Sequence, residues 1–88
     1  MNIKNTIELT ISHLRAKVRD LETHDPHRTH DQETAIYWCG RQTGTTLIDF
    51  LEAFQHEGII NSDELISYRE RILAQYRLLD RVYRANSH

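Results

Sequence analysis

The sequence predicts an all-α protein, an antiparallel three-helix bundle, on three observations. An apolar stripe recurs every three or four residues from Ile3 to Leu21, and a second apolar phase runs from Ile36 to Phe54 without a break at either glycine. After Gly58, the residues Asn61 and Ser62 open a third helical stretch rich in apolar side chains. The chain has 88 residues, 39% hydrophobic and 27% charged, with three glycines and one proline. That is the composition of a folded globular chain, and it is read as a single helical domain over residues 1–88.

The first helix is expected near residues 3–23. Ile3, Ile7, Ile11, Leu14, Val18 and Leu21 form one narrow stripe, while Glu8, Arg15, Lys17, Arg19 and Glu22 keep the other side solvated and Leu9 lies off the stripe. The segment Thr23 to His30 breaks the pattern, because Pro26 has no N–H to donate and disfavours helical geometry at the residue before it. Two starts are open for the second helix: Asp25 as cap with Pro26 in the first turn, or Thr29 as cap with Gln32 completing a capping box.

The second helix, near residues 29–57, is the one around which the others are organised. Ile36, Gly40, Thr43, Gly44, Leu47, Phe50, Leu51 and Phe54 fall within an arc of roughly 120° at 100° per residue. The stretch Cys39 to Thr46 is a poor helix former, and Thr46 with Asp49 could cap a fourth helix if the second breaks between Gly40 and Thr46. The unbroken phase favours one helix, with Gly40 and Gly44 admitting a neighbouring helix backbone. Gly58 fits a left-handed C-cap, and Ile59 and Ile60 fold back onto the helix ends.

The third helix is expected near residues 62–84, capped by Asn61 or Ser62, with Asp63 and Glu64 at the positive end of its dipole and fraying from Ala85. Its apolar positions cover about half the circumference, more than one neighbour would bury. The predicted core contains Leu14, Val18, Leu47, Phe50, Leu51, Phe54, Ile72, Tyr76 and Leu79. The surplus apolar surface predicts packing as a dimer.

Charge and motifs narrow the chemistry. Eleven basic residues against thirteen acidic give a net charge of −2, which disfavours non-specific nucleic-acid binding. One cysteine, Cys39, excludes an intrachain disulfide and fits a reducing compartment; it is read as a packing residue on the helix flank. The N-terminal residues lack an apolar leader and no run reaches membrane-spanning length, so the expected location is the cytoplasm with no membrane contact.

His24, His27 and His30 recur every third residue beside Asp25 and Asp31, a usable ligand set for zinc or nickel, although the preferred reading is a solvated loop with incidental metal affinity. His56-Glu57 opens like a zinc-protease helix, but Ile60 stands where the second histidine is required. No nucleophile elbow, phosphate-binding glycine loop or Cys-x-x-Cys is present, so the reading is of a non-enzyme without a cofactor.

Arg77, Arg81 and Arg84 share one side of the third helix and could contact nucleic acid or an acidic partner. Arg69 projects inside the apolar arc and is expected to snorkel or to pair with an acid on a neighbouring helix. Trp38 points about 160° from the core direction. With Tyr37 and Ile48 on the flank, and Tyr68, Arg69 and Tyr83 on the third helix, it makes up the expected interface.

The function expected is a small protein-interaction module, an adaptor, regulator or inhibitor acting through apolar helical faces on a protein partner and pairing with itself as a homodimer. In size and class alone it parallels phage and mobile-element accessory factors. The alternatives are a nucleic-acid-binding regulator using Arg77, Arg81 and Arg84, and a metal-responsive protein using His24, His27 and His30.

Overall fold

The computed structural model describes residues 2–23 and 25–86. It contains three helices, α1 (Ile3–Glu22), α2 (His30–His56) and α3 (Ser62–Asn86), and each packs against both others. Among the described residues there is no strand. The body is long and thin, 46 × 23 × 15 Å. Its radius of gyration is 14.4 Å, against about 12 Å for a compact domain of this length.

Side-chain caps set the helix starts. Asn2 accepts from the Lys4 N–H at 2.9 Å. Of the two starts open to α2, the structure uses Thr29, whose hydroxyl accepts from the Gln32 N–H while the Gln32 side chain accepts from the Thr29 N–H. Asp25 instead turns the preceding loop, accepting from the His27 N–H. Asn61 and Glu64 make the same reciprocal pair at the start of α3. Each device satisfies donors that the first helical turn leaves open.

At the end of α2, Gly58 adopts φ 76°, the Ile59 N–H donates to Phe54 O and the Gly58 N–H donates to Gln55 O. This double return of the chain stops the helix with a left-handed residue that glycine tolerates without a Cβ penalty. It drives Ile60 into the core, 3% exposed, while Ile59 stays 42% exposed.

The interior forms two apolar clusters along the rod. Ile7, Ile11, Leu14, Leu47, Leu51, Ile60 and Ile72 fill one end, and Val18, Leu21 and Leu79 the other. Every residue of the α1 stripe from Ile7 to Leu21 is buried, as its spacing requires.

Several expectations need correction. Helix α2 is continuous from His30 to His56, so no fourth helix begins at Thr46. Gly40 and Gly44 are buried, but side chains rather than a helix backbone lie over them. A Cβ on Gly40 would stand 2.9 Å from Leu79 Cδ2, and one on Gly44 would run into the ring of Tyr76. Phe50 is not in the core. It is 54% exposed, because α1 presents the small side chains Thr6 and Thr10 where this edge of α2 looks out, and they leave the ring uncovered. Phe54 and Tyr76 are half-buried. Helix α3 continues through Ala85 to Asn86, whose side-chain amide donates to Leu21 O at 2.8 Å and to Glu33 Oε2 at 3.0 Å and ties the end of α3 to the other helices.

Candidate functional site

An apolar groove of about 640 Å³ runs between α1 and α2. Thr6, Ile7 and Thr10 form its α1 wall, and Cys39, Gln42, Thr43, Thr46 and Leu47 its α2 wall, with Phe50 and Phe54 at one end. The α2 wall follows from helical spacing: positions 39, 43, 46, 50 and 54 advance by three or four residues and so share one side. None of the ten residues carries a charge, in a chain in which 27% of residues do.

Phe50 stacks on Phe54 with ring centroids 6.0 Å apart and planes 14° from parallel. Cys39 is exposed on the same side, with a free thiol. It is therefore not the packing residue that its helix-flank position suggested: it lies at the edge of the buried arc, on the wall that α1 leaves open.

A second grouping joins α2 to α3 at the opposite side of α2. The Tyr37 hydroxyl donates to Asp80 Oδ1 at 2.5 Å, and Arg41 Nη1 reaches both Asp80 carboxylate oxygens at 3.3 Å. Arg41 also lies over the Tyr76 ring, 4.7 Å from its centroid. The Tyr76 hydroxyl donates to Arg41 O at 2.6 Å and stands 2.7 Å from the Thr45 hydroxyl, which is left to act as donor to it. Tyr37 stacks on Tyr83 at 4.3 Å, and Tyr83 hydrogen-bonds Thr34. Burial, and then the hydrogen bond to Asp80, raise the Tyr37 phenol above its ordinary pKa. These pairings hold α2 and α3 together.

A third grouping ties α1 to α3. Arg71 donates through two nitrogens to the two Glu8 oxygens, both at 2.7 Å, and Lys4 pairs with Glu64 at 2.7 Å. The Arg71 hydrogen bonds hold the Glu8 carboxyl below the usual carboxylate range. The two-pronged geometry is the stronger form of this pair, although both side chains remain substantially exposed.

Among the residues singled out from sequence, Trp38 is 61% exposed, with Tyr37 edge-on beneath it at 5.3 Å. Ile48 and Tyr68 pack against the larger core cluster. Tyr37 and Tyr83 pack against the smaller one, so four of the six residues of the expected interface are occupied within the chain. Arg69 is exposed and, among the described residues, pairs with no acid. Arg71, two residues on, makes the ion pair to α1. Arg77, Arg81 and Arg84 are all exposed on α3.

Of the histidines, His24 lies outside the described residues. His27 is exposed in the loop, and His30 stacks on Tyr83 at 6.2 Å. Among the described residues no group of three or more His, Cys, Asp or Glu side chains is placed to hold a metal ion. No described helix is long and apolar enough to cross a membrane.

Sequence reasoning missed the groove and the Arg41–Asp80 pair. A signal existed for the second: Asp80 interrupts the apolar run of α3 one turn after Tyr76 and three residues before Tyr83, a position that calls for a partner on the facing helix. No family model, no curated protein and no solved structure matches this chain.

Proposed function

We propose that this chain is a small non-catalytic protein-interaction module, an adaptor, regulator or inhibitor whose working surface is apolar and helical. The observation that carries the reading is the α1/α2 groove: ten uncharged residues, among them the stacked pair of Phe50, 54% exposed, and Phe54. Aromatic residues at a charge-depleted patch are the usual anchors of protein binding. Trp38, exposed on another side of α2, supplies a second aromatic of the same kind. The free thiol of Cys39 fits a reducing compartment, and on this reading the module works in the cytoplasm.

The test is co-purification of the untagged protein from its native host, beside Phe50→Asp and Trp38→Ala forms. The expected result is a partner, another protein or a second copy, held by the wild type and lost with one of these substitutions. A chain that neither self-associates nor retains any protein in this comparison would end the reading.

A further inference from the structure

Resting on the interaction reading above, we propose that the outer face shared by α2 and α3 pairs with a second copy of this chain, turned end over end, so that the basic half of each face meets the acidic half of the other. The pattern that selects a second copy lies along α3. Asp63, Glu70, Arg77 and Arg84 recur at every seventh residue and so form one row on the helix surface, two acids followed by two bases. All four are exposed, and among the described residues none of them makes an ion pair. Ile66, 56% exposed, and Leu73, half-buried, follow the two acids by three residues and run beside the row. Apolar positions flanked by charges at seven-residue spacing are the pattern of a helix-pairing seam, in which the charges set partner and direction.

The order of the charges fixes both. Glu70 and Arg77 lie equally far on either side of the point between Leu73 and Ala74, and so do Asp63 and Arg84. Reversing a second copy about that point sets Arg77 against Glu70 of the other copy and Arg84 against its Asp63, and two-fold symmetry makes each contact twice. A parallel pair would set acid on acid and base on base, which costs affinity. Any other partner would have to carry the inverse row, whereas this chain carries its own complement. Helix α2 repeats the arrangement about the same level. The contacts of Tyr37 with Asp80 and of Thr45 with Tyr76 place Thr45 near the level of Ala74. Arg41, whose side chain stays 35% exposed beside Asp80, lies four residues before Thr45 and Asp49 four after, so the same reversal brings Arg41 to Asp49 of the other copy. Trp38, 61% exposed, then comes level with Ile66 of the other copy.

The helix dipole accounts for part of this order on α3, where acids come first and bases last, but on α2 it runs against Asp49 and Glu52, which lie toward the C-terminal end. Within the single chain, neighbours in both halves repel. Arg77, Arg81 and Arg84 follow one another at spacings of four and three, and Asp49 and Glu52 at three. A reversed second copy sets opposite charge against both groups.

The experiment is sedimentation of the full chain under reducing conditions, across a wide concentration range and at low and high salt. The wild type is expected to dimerise, and more weakly as salt rises. Arg77→Glu and Glu70→Arg, both at exposed positions, are each expected to weaken the dimer by about tenfold or more while keeping the helical circular dichroism of the wild type. The variant carrying both changes is expected to dimerise again, because each pair is then inverted, and an equimolar mixture of the two single variants is expected to form a mixed dimer. Phe50→Asp, in the groove, is expected to dimerise normally. A wild type that stays monomeric overturns the proposal, as does a dimer that survives both single changes. Single changes that abolish the dimer while neither the double change nor the mixture restores it also overturn it, because the two charges then do not meet. A monomeric wild type that binds duplex DNA and is released by Arg77→Glu would give the basic half of the row to phosphates. The interaction reading is tested apart from these outcomes: it stands under any of them if the wild type retains another protein that Phe50→Asp loses in the co-purification comparison.

Discussion

The ring of Tyr76 occupies the space in which a side chain on Gly44 would have to lie: an added Cβ would stand 2.6 Å from Tyr76 Oη and 2.7 Å from Cζ. The ring is held there by its hydrogen bond to Arg41 O, the Thr45 hydroxyl and the Arg41 guanidinium. Alanine in a helix gains about 1 kcal/mol over glycine in intrinsic propensity, so a Gly44→Ala change sets that gain against eviction of the ring. Overpacking of this kind costs about 1–3 kcal/mol, and the net expectation is a lower melting temperature. Because the loss is the loss of the Tyr76 contacts, Tyr76→Phe should destabilise the wild type but add little in the Gly44→Ala background. Denaturant melts of the four forms test this. Full additivity would show that the ring does not move.

The ion pair between Glu8 and Arg71 predicts a small acid-side dependence of stability. Arg71 lowers the Glu8 pKa from its ordinary value of 4.5, so the folded form holds the carboxylate more readily than the unfolded form does. That contribution is present in full above about pH 4.5 and is lost as pH falls through the folded value. Both side chains are more than a third exposed, so solvent screening limits the pair to under about 1 kcal/mol. Urea melts of Glu8→Gln should show that deficit at pH 7 and a progressively smaller one as pH falls below about 4.5. A deficit that does not change with pH across the acid range would mean that packing, not charge, is lost.

The helices were legible because their periodicity and caps are local. Ile7 to Leu21 lie on a single stripe and Gly58 carries its own stop signal, both where the pattern puts them, and Thr29 is one of the two starts that the sequence left open. What spacing could not decide was which edge of a buried arc a neighbour covers. Phe50 and Leu51 fall in the same arc of α2, yet Leu51 is 0% exposed and Phe50 is 54%. The difference comes from what α1 presents across the gap, Thr6 and Thr10, and that requires the register between helices. The same reason hid the groove, the exposure of Cys39 and the choice of Arg71 over Arg69 for the pair with α1.

That contrast is itself measurable. Leu51→Ala empties a fully enclosed site and should cost about 2–5 kcal/mol. Phe50→Ala removes a ring already half in water and should cost under about 1 kcal/mol in the monomer. Thermal unfolding at concentrations low enough to keep the chain monomeric gives both values. Equal losses at the two positions would place Phe50 in the core after all.

Tyr37 provides the opposite end of the pH range. Burial disfavours its phenolate, and the Asp80 carboxylate accepts the phenol proton in a hydrogen bond and repels the charge that would replace it; Arg41 and Arg84 oppose these effects more weakly. The folded pKa therefore stands above the unfolded value of 10.0. The associated stability is present in full below about pH 10 and disappears as pH rises through the folded value. Replacing Asp80 with Asn removes the charge but leaves the ring stacked on Tyr83, so the Tyr37 pKa should fall part of the way and keep the portion that burial causes. The Arg41 guanidinium loses its only carboxylate among the described residues, which adds a pH-independent loss of roughly 1 kcal/mol. Ring resonances of Tyr37, followed by NMR through the alkaline range in wild type and Asp80→Asn, separate the two contributions. An unchanged titration would show that burial acts alone, and a return to the ordinary phenol value would show that the carboxylate does.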